Sequence, residues 1–463
     1  MRKPNILFVM VDQMRASALG IAGEEEVLTP NLDAFAREGT RFARAISNTP
    51  SCTPARASVL TGLHVLSHGL VANDVPLPTC KTTIANCLNE AGYHCGYIGK
   101  WHLDMHDRGT FIPPGPRRHG FDHFWAANNC NHDYFDAYYY LNDDPEPRWI
   151  DGYEPEAQTR LASEYIAANA KGDRPFCLFL NWGPPHDPYL DAPEDYLALY
   201  PEERIKLRPN APETADKKML GGYYAHISAL DACFGSLMQT LERTGIAEET
   251  IVVFTSDHGD MLFSQNQLFK SKPWNESVNI PLLIRWPRHV PAGRVTDGPI
   301  GLTDFMPTLL GLVGAAIPAE TEGVDLSAFV LGDETAAQQS VYINSPVIPR
   351  GYPSIFPFTE WCGVVTQSCT YARMRDKPWV LYEDDKDRYQ LNNLALSPDH
   401  RELQTQLEEE LQRWLQRLND PFESSDEVAA KYYKDGTDGM MPFYENEKIA
   451  TTKAERKRRR SSV

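Results

Sequence analysis

No stretch of the 463-residue chain reaches 18 consecutive apolar residues, so no membrane-spanning helix is written in it. The first apolar run, Ile6–Val11, stops at Asp12 and is too short for the core of a signal peptide. The expectation is a cytoplasmic chain with no membrane partner. Basic residues are scarce relative to acidic ones: 45 Lys and Arg against 63 Asp and Glu give a formal charge of −18. That balance argues against a nucleic-acid partner, which needs basic surface to displace counterions. The nine cysteines are scattered, odd in number and never spaced C-x-x-C, which argues against a disulfide framework or structural zinc. No internal repeat is visible. An anionic ligand would need a locally positive site inside a repelling overall field.

What is present is material for a large core, with hydrophobic residues making up 42% of the chain. Short, nearly continuous apolar runs at Ile6–Val11, Tyr93–Ile98, Phe176–Leu180, Ile251–Phe254 and Pro281–Trp286 read as strands covered on both faces. Between them lie helical patterns. One opens with Thr29 as N-cap and Pro30 at the first position, presents Leu32, Phe35 and Ala36, and stops at Gly39. This alternation implies an α/β fold with a mostly parallel central sheet flanked by helices. From about Gln367 the character changes. Tyr371–Met374 and Trp379–Tyr382 read as a short antiparallel sheet, and Ser397-Pro398-Asp399 opens a long helix. Its stripe of Leu403, Leu407, Leu411, Trp414, Leu415 and Leu418 reads as packing on the main domain rather than on a partner helix. The organisation expected is a catalytic α/β domain over 1–366, an α+β subdomain over 367–452 and a flexible basic tail over 453–463.

The polar residues cluster where strands end. Ile6–Val11 delivers Asp12 and Gln13; Tyr93–Ile98 delivers Lys100 and His102; Phe176–Leu180 is followed by His186; Ile251–Phe254 delivers Asp257 and His258. Any one of these alone reads as a turn, a cap or a satisfied histidine. Four strand ends carrying such groups point to one site, because ligands of open parallel sheets bind beyond the carboxyl ends of the strands. Asp12, Gln13, Asp257 and His258 offer mainly oxygen with one imidazole, a set suited to Ca²⁺, with Mn²⁺ or Mg²⁺ as alternatives. Cys52 sits just before a short helix punctuated by Pro54 and Gly62, where a thiol pKa falls and anions bind. Arg56 falls near the first turn of that helix and reads either as a solvated arginine or as one facing an anion or nucleophile.

Cys52-Thr53-Pro54-Ala55-Arg56 with Leu60-Thr61-Gly62 resembles the C-x-P-x-R motif of type I, formylglycine-dependent sulfatases of the alkaline phosphatase superfamily. The resemblance covers most of the chain, in family order. It includes Pro4-Asn5-Ile6 to Asp12, Thr29–Asp33, Gly99–Leu103, Gly120-Phe121-Asp122, Ser256–Gly259, Ile280–Arg285 and Tyr389–Leu394. It implies an alkaline-phosphatase-like core with a small C-terminal α+β subdomain. It further implies that a maturation enzyme oxidises Cys52 to Cα-formylglycine, whose hydrated gem-diol is the nucleophile. Asp12, Gln13, Cys52, Asp257 and His258 would hold a divalent metal. Arg56 would stabilise the formylglycine, Lys100 and Lys270 would bind sulfate oxygens, His102 would assist the gem-diol, and His186 would protonate the leaving oxygen. Lys270 is placed by its spacing to Glu276-Ser277, with Lys272 two residues away as the alternative.

Many sulfatases have paired aspartates where this chain has Asp12-Gln13, and Asp-Asn where it has Asp257-His258. The Gln and His versions also occur in phosphonate monoester hydrolases and choline-sulfatase-like relatives. A phosphonate monoester hydrolase or phosphodiesterase is therefore the alternative, against which Lys100 and His102 stand. A catalytically dead binding protein and a Cys52 thiolate nucleophile are further readings. The segment Leu103–Trp149, with His119, His123, His132, Tyr134 and Tyr138–Tyr140, either binds a sugar or packs on the core. Ser345–Phe358 reads as a second, proline-rich rim loop. The expected substrate is a carbohydrate sulfate, as a small molecule or oligosaccharide.

Overall fold

The computed structural model describes residues 3–104, 108–347 and 359–432. Its centre is strand β1 (Asn5–Asp12), all eight residues of which are buried. Alternate side chains serve two cores: Ile6, Phe8 and Met10 face one, and Leu7, Val9 and Val11 face the other. This explains why the run carries no polar alternation. The chain continues through β2 (Thr40–Phe42), β3 (His94–Lys100), β4 (Phe124–Asn128), β5 (Phe176–Pro185), β6 (Thr250–Ser256) and β7 (Leu282–Arg285). In space, β6, β1, β5, β3 and β4 are neighbours in that order and run parallel. β7 adds antiparallel beside β6, β2 pairs antiparallel with β7, and three further short strands at the two edges complete ten. Each expected apolar run falls largely within one of these strands, with Tyr93, Pro281 and Trp286 just outside them, and β5 extends well beyond Leu180.

Helices cover both faces. On one lie α1 (Pro30–Glu38), α3 (Glu154–Asn169) and α4 (Lys217–Thr244); on the other lies α2 (Cys52–Thr61). α1 begins where Pro30 predicts, but the Thr29 hydroxyl does not cap it. It donates instead to Asp33 Oδ1 and accepts from the Gly20 amide, both at 2.8 Å. α2 starts one residue earlier than expected, with Cys52 inside its first turn, and ends at Gly62, whose φ of 66° suits only glycine well.

The second sheet has four antiparallel strands: β8 (Ser340–Ser345), β9 (Trp361–Thr366), β10 (Cys369–Met374) and β11 (Pro378–Glu383). Two of them precede residue 367, where the sequence changes character. The long helix α5 (Arg401–Leu418) lays Leu407, Leu411 and Trp414 on this sheet's outer face, against Tyr342, Val364 and Leu381. The stripe thus packs on the small sheet rather than on the main domain itself, although the Trp414 ring also meets His64. The sheet's inner face packs on Ile46, Met261 and Trp274 of the main domain. Most of the expected rim loop and all of the basic run lie outside the described residues. No described helix is long and apolar enough to cross a membrane.

Candidate active site

The carboxyl ends of β1, β3, β5 and β6 converge on the first turn of α2. All ten residues of α2 are buried, which makes it a core helix rather than a surface one. Cys52, at its N-terminus, is 1% exposed. Its Sγ lies 3.2 Å from His258 Nε2 and 3.6 Å from Asp12 Oδ1. Lys270 Nζ stands 3.6 Å from the same sulfur. Burial pushes the Cys52 thiol up, but Lys100, Lys270 and His258 outweigh it and hold the thiol well below its ordinary range.

Arg56, one turn on, resolves the choice left open by the sequence: it faces inward. Its guanidinium bridges Asp12 Oδ2 at 3.1 Å and Asp257 Oδ2 at 3.0 Å, and donates to the Lys100 carbonyl at 3.0 Å. Lys100 Nζ also meets Asp12 Oδ2, at 2.6 Å. The outer oxygens of both aspartates are therefore held by cations; Asp12 Oδ1 faces the sulfur and imidazole, and Asp257 Oδ1, 3.7 Å from the imidazole, accepts from the backbone N–H groups of Gln13 and His258. His258 Nδ1 lies 2.9 Å from the Gly259 carbonyl, an acceptor only, so a proton resides there and Nε2 is turned toward the sulfur and the carboxylates. Asp12, Cys52, Asp257 and His258 thus offer ligand atoms within 4.8 Å of one another. This donor set fits a divalent cation. A glycine is required at 259 because a Cβ there would lie 2.0 Å from the Glu276 carbonyl oxygen.

The structure brings every predicted site residue into this one crevice. Gln13, at φ 73°, turns its side chain to place Oε1 2.6 Å from Lys270 Nζ. Lys270 also reaches His186 Nε2 at 2.7 Å. Lys272 instead donates to the carbonyls of Leu268 and Lys270, so it pins the loop that presents Lys270. Burial drives this second amine down to about 7. His102, also left-handed at φ 56°, pairs through Nε2 with Asp74 Oδ1 at 3.0 Å. Burial pushes His102 down, but the neighbouring Cys130 and Asp74 raise it to about 10. Two non-glycine residues in left-handed conformations at one site are backbone strain retained by surrounding contacts.

Several residues were not singled out from the sequence. Asp260 accepts from Gln13 Nε2 at 2.7 Å and from the Tyr189 hydroxyl at 2.6 Å, which fixes the Gln13 amide with its oxygen toward the site. Its signal is faint: one more acid after Asp257-His258-Gly259. Asp74, which also pairs with Arg108, and Cys130, beside His102, carry no local signal at all. His132, which the sequence offers only as part of the segment Leu103–Trp149, stacks on His186 with ring centroids 4.1 Å apart and lies 3.1 Å from Lys100 Nζ. The tyrosines near it take the packing role: Tyr134, Tyr138 and Tyr140 are buried, and Tyr134 donates to the His186 carbonyl at 2.8 Å.

Comparison with known proteins adds an independent finding. The Sulfatase family profile matches residues 4–315, and that of the N-sulphoglucosamine sulphohydrolase C-terminal region matches 267–417. An ulvan-active sulfatase of Formosa agariphila is 39% identical over 437 residues, covering 93% of this chain and 84% of that protein. An endo-4-O-sulfatase of Bacteroides thetaiotaomicron is 30% identical, covering 90% and 93% respectively. The solved structure of a Bacteroides fragilis protein assigned as the sulfatase yidJ superposes with a TM-score of 0.82 at 29% identity, covering 94% of this chain and 98% of that one.

Proposed function

Because the chain belongs to the sulfatase family of sulfuric ester hydrolases, we propose that it hydrolyses a sulfate monoester of a carbohydrate at the crevice built around Cys52. The observation that carries this reading is the convergence of Lys100, Lys270 and Arg56 on a buried cysteine that also faces a cation-binding donor set. A chain of charge −18 has to bind an anion locally, and these three cations supply the local field. The carbohydrate assignment draws support from the named activities of the ulvan-active and endo-4-O-sulfatase relatives.

The cysteine-derived formylglycine, installed by a maturation enzyme, would supply a nucleophile that clears its own sulfated form. A divalent metal held by Asp12, Gln13, Asp257 and His258 would supply Lewis acidity, and this oxygen-rich set favours Ca²⁺ once the sulfur is gone. The chain's own residues do the rest. Lys100 and Lys270 bind and orient the sulfate oxygens from two sides. Arg56 fixes both aspartates through their Oδ2 atoms, so that each Oδ1 faces the metal position. His186 would deliver a proton to the departing oxygen through Nε2, the nitrogen that Lys270 Nζ meets at 2.7 Å, its ring oriented by the Asp187 carbonyl at 2.9 Å from Nδ1. His102, oriented by Asp74, handles a proton at residue 52.

Two measurements test the reading. Mass spectrometry of the peptide holding Cys52, from the native host, should find an aldehyde in place of the thiol; fully active enzyme with an intact thiol overturns the formylglycine part. Paired aryl sulfate and aryl phosphonate substrates should favour the sulfate; faster phosphonate turnover overturns the sulfatase assignment.

A further inference from the structure

The donor set around Cys52 has a different chemistry before and after conversion. As long as residue 52 is a cysteine, four side chains converge: a thiol, an imidazole and two carboxylates, all buried. Four of the six separations among their donor atoms are short. Sulfur to His258 Nε2 is 3.2 Å and sulfur to Asp12 Oδ1 is 3.6 Å. His258 Nε2 lies 3.5 Å from Asp12 Oδ1 and 3.7 Å from Asp257 Oδ1. A tetrahedron built on Zn–N and Zn–O near 2.0 Å and Zn–S near 2.3 Å has edges of about 3.3–3.6 Å. The remaining two pairs, both of which involve Asp257, are within 4.8 Å.

From this geometry we propose that the unconverted chain carries a tetrahedral zinc-class site made of Asp12, Cys52, Asp257 and His258, so that conversion of Cys52 switches the crevice from a borderline-soft to a hard divalent cation. Three further observations support it. His258 already turns Nε2 toward the other three donors, with Nδ1 facing the Gly259 carbonyl as in metal-bound histidines. Gln13 Oε1 is engaged by the Lys270 ammonium, which keeps a fifth ligand off the thiol form. Calcium requires six to eight oxygen ligands, and a thiolate is a poor substitute for any of them. The zinc site is a property of the thiol form alone; only the switch rests on the reading that Cys52 is a precursor.

The consequence is that zinc occupies the sulfur and withholds it from other reactions. The test uses full-length chain made in a host without the maturation activity, stripped with chelator and titrated with Zn²⁺ and Ca²⁺ separately. The thiol form should bind one Zn²⁺ per chain, at least about 10³-fold more tightly than Ca²⁺. Co²⁺ in its place should give sulfur-to-cobalt charge-transfer absorption, and bound Zn²⁺ should protect Cys52 from alkylation. Cys52→Ser, with Cys52→Ala as a second variant, should bind Zn²⁺ about 10²-fold more weakly and lose the absorption, with circular dichroism unchanged. Equal zinc affinity in both cysteine variants, or a cobalt complex without the sulfur band, overturns the proposal. Converted chain should prefer Ca²⁺; a converted chain that still prefers Zn²⁺ overturns the switch. Failure to find any converted chain overturns the formylglycine reading and leaves the zinc result standing.

Discussion

Two groups of buried polar residues lie side by side at the ends of the parallel strands, and they solve the same problem in opposite ways. In the crevice, Asp12 is fully buried yet remains a carboxylate. Burial and the Cys52 sulfur push it up, and Lys100, His186 and Arg56 bring it below its ordinary value. At the first position of α3, Glu154 is buried to 2% exposure, and its side chain has only amide partners, Asn128 of β4 at 3.2 Å and Gln158 at 2.9 Å. Burial pushes its carboxyl up to about 8. Its Oε2, together with Asn128 Oδ1, Gln158 Oε1 and both amide atoms of Asn181, has no protein hydrogen-bond partner. Burial alone therefore does not make a carboxylate functional. Partners decide whether the charge survives, and only the crevice supplies cations.

The strongest way to break this contrast is to remove a cation from the crevice. Lys100→Ala leaves the Asp12 side chain with one cationic partner fewer and, on the proposed function, removes one of the two lysines that bind the sulfate; kcat/KM should fall at least about 10³-fold with the fold retained. A fall of less than tenfold would show that the pairing is structural.

The converse experiment acts on the neutral side. Glu154 is protonated in the folded chain up to about pH 8 and ionised in the unfolded chain above 4.5. The folded state thus holds the extra proton, and stability is lost as pH rises between those values. The full linkage is on the order of 4–5 kcal/mol, which solvent relaxation reduces to about 3 kcal/mol. Glu154→Gln, which cannot ionise, should therefore match the parent near pH 5 and exceed it by about that amount at pH 8 in denaturant unfolding. Parallel pH profiles for the two would show that Glu154 is charged. Asp12 carries the opposite sign: its contribution is present at neutral pH and is lost only in acid.

A finer probe is Asp260, which orients Gln13 without touching substrate. Asp260→Ala should weaken metal binding about 10–100-fold, measured by calorimetry on stripped protein. Asp260→Glu should restore part of it, and a change in thermal stability without a change in affinity would assign Asp260 to packing. The smallest effect concerns salt. Because the crevice cations act at contact distance, kcat/KM should vary by less than about twofold from low to moderate ionic strength. A steep loss would reveal steering by the outer surface.

The same contrast explains what could be read from the sequence. The parallel strands were legible because each is covered on both faces and so is written as an unbroken apolar run. The crevice residues followed, since Asp12, Lys100 and Asp257 sit one to three residues past those runs. β8 and β9 were not legible. Ser340–Ser345 and Trp361–Thr366 belong to a sheet of which one face packs on the main domain and the other on α5, and they are separated by residues 348–358, outside the described structure. The supporting residues were hidden for another reason. Asp74 and Asp260 act through His102 and Gln13, so their positions are set by tertiary approach and not by spacing along the chain. Likewise, nothing local distinguishes Glu154 from a surface glutamate in the first turn of a helix.

The position of β1 also governs how this molecule comes to be. Its neighbours on either side are β5 and β6, paired at Ile6 with Cys177 and with Ile251. A nascent chain must therefore extend by roughly 170 and then 245 residues before this strand acquires each partner. Until then Ile6–Val11 is an unpaired apolar ribbon, the kind of segment that seeds aggregation and that chaperones retain. Assembly of the crevice is then a late, cooperative event, and a ribosome stalled anywhere before β6 releases a chain that holds Asp12 but not the strand that brings Asp257 to face it.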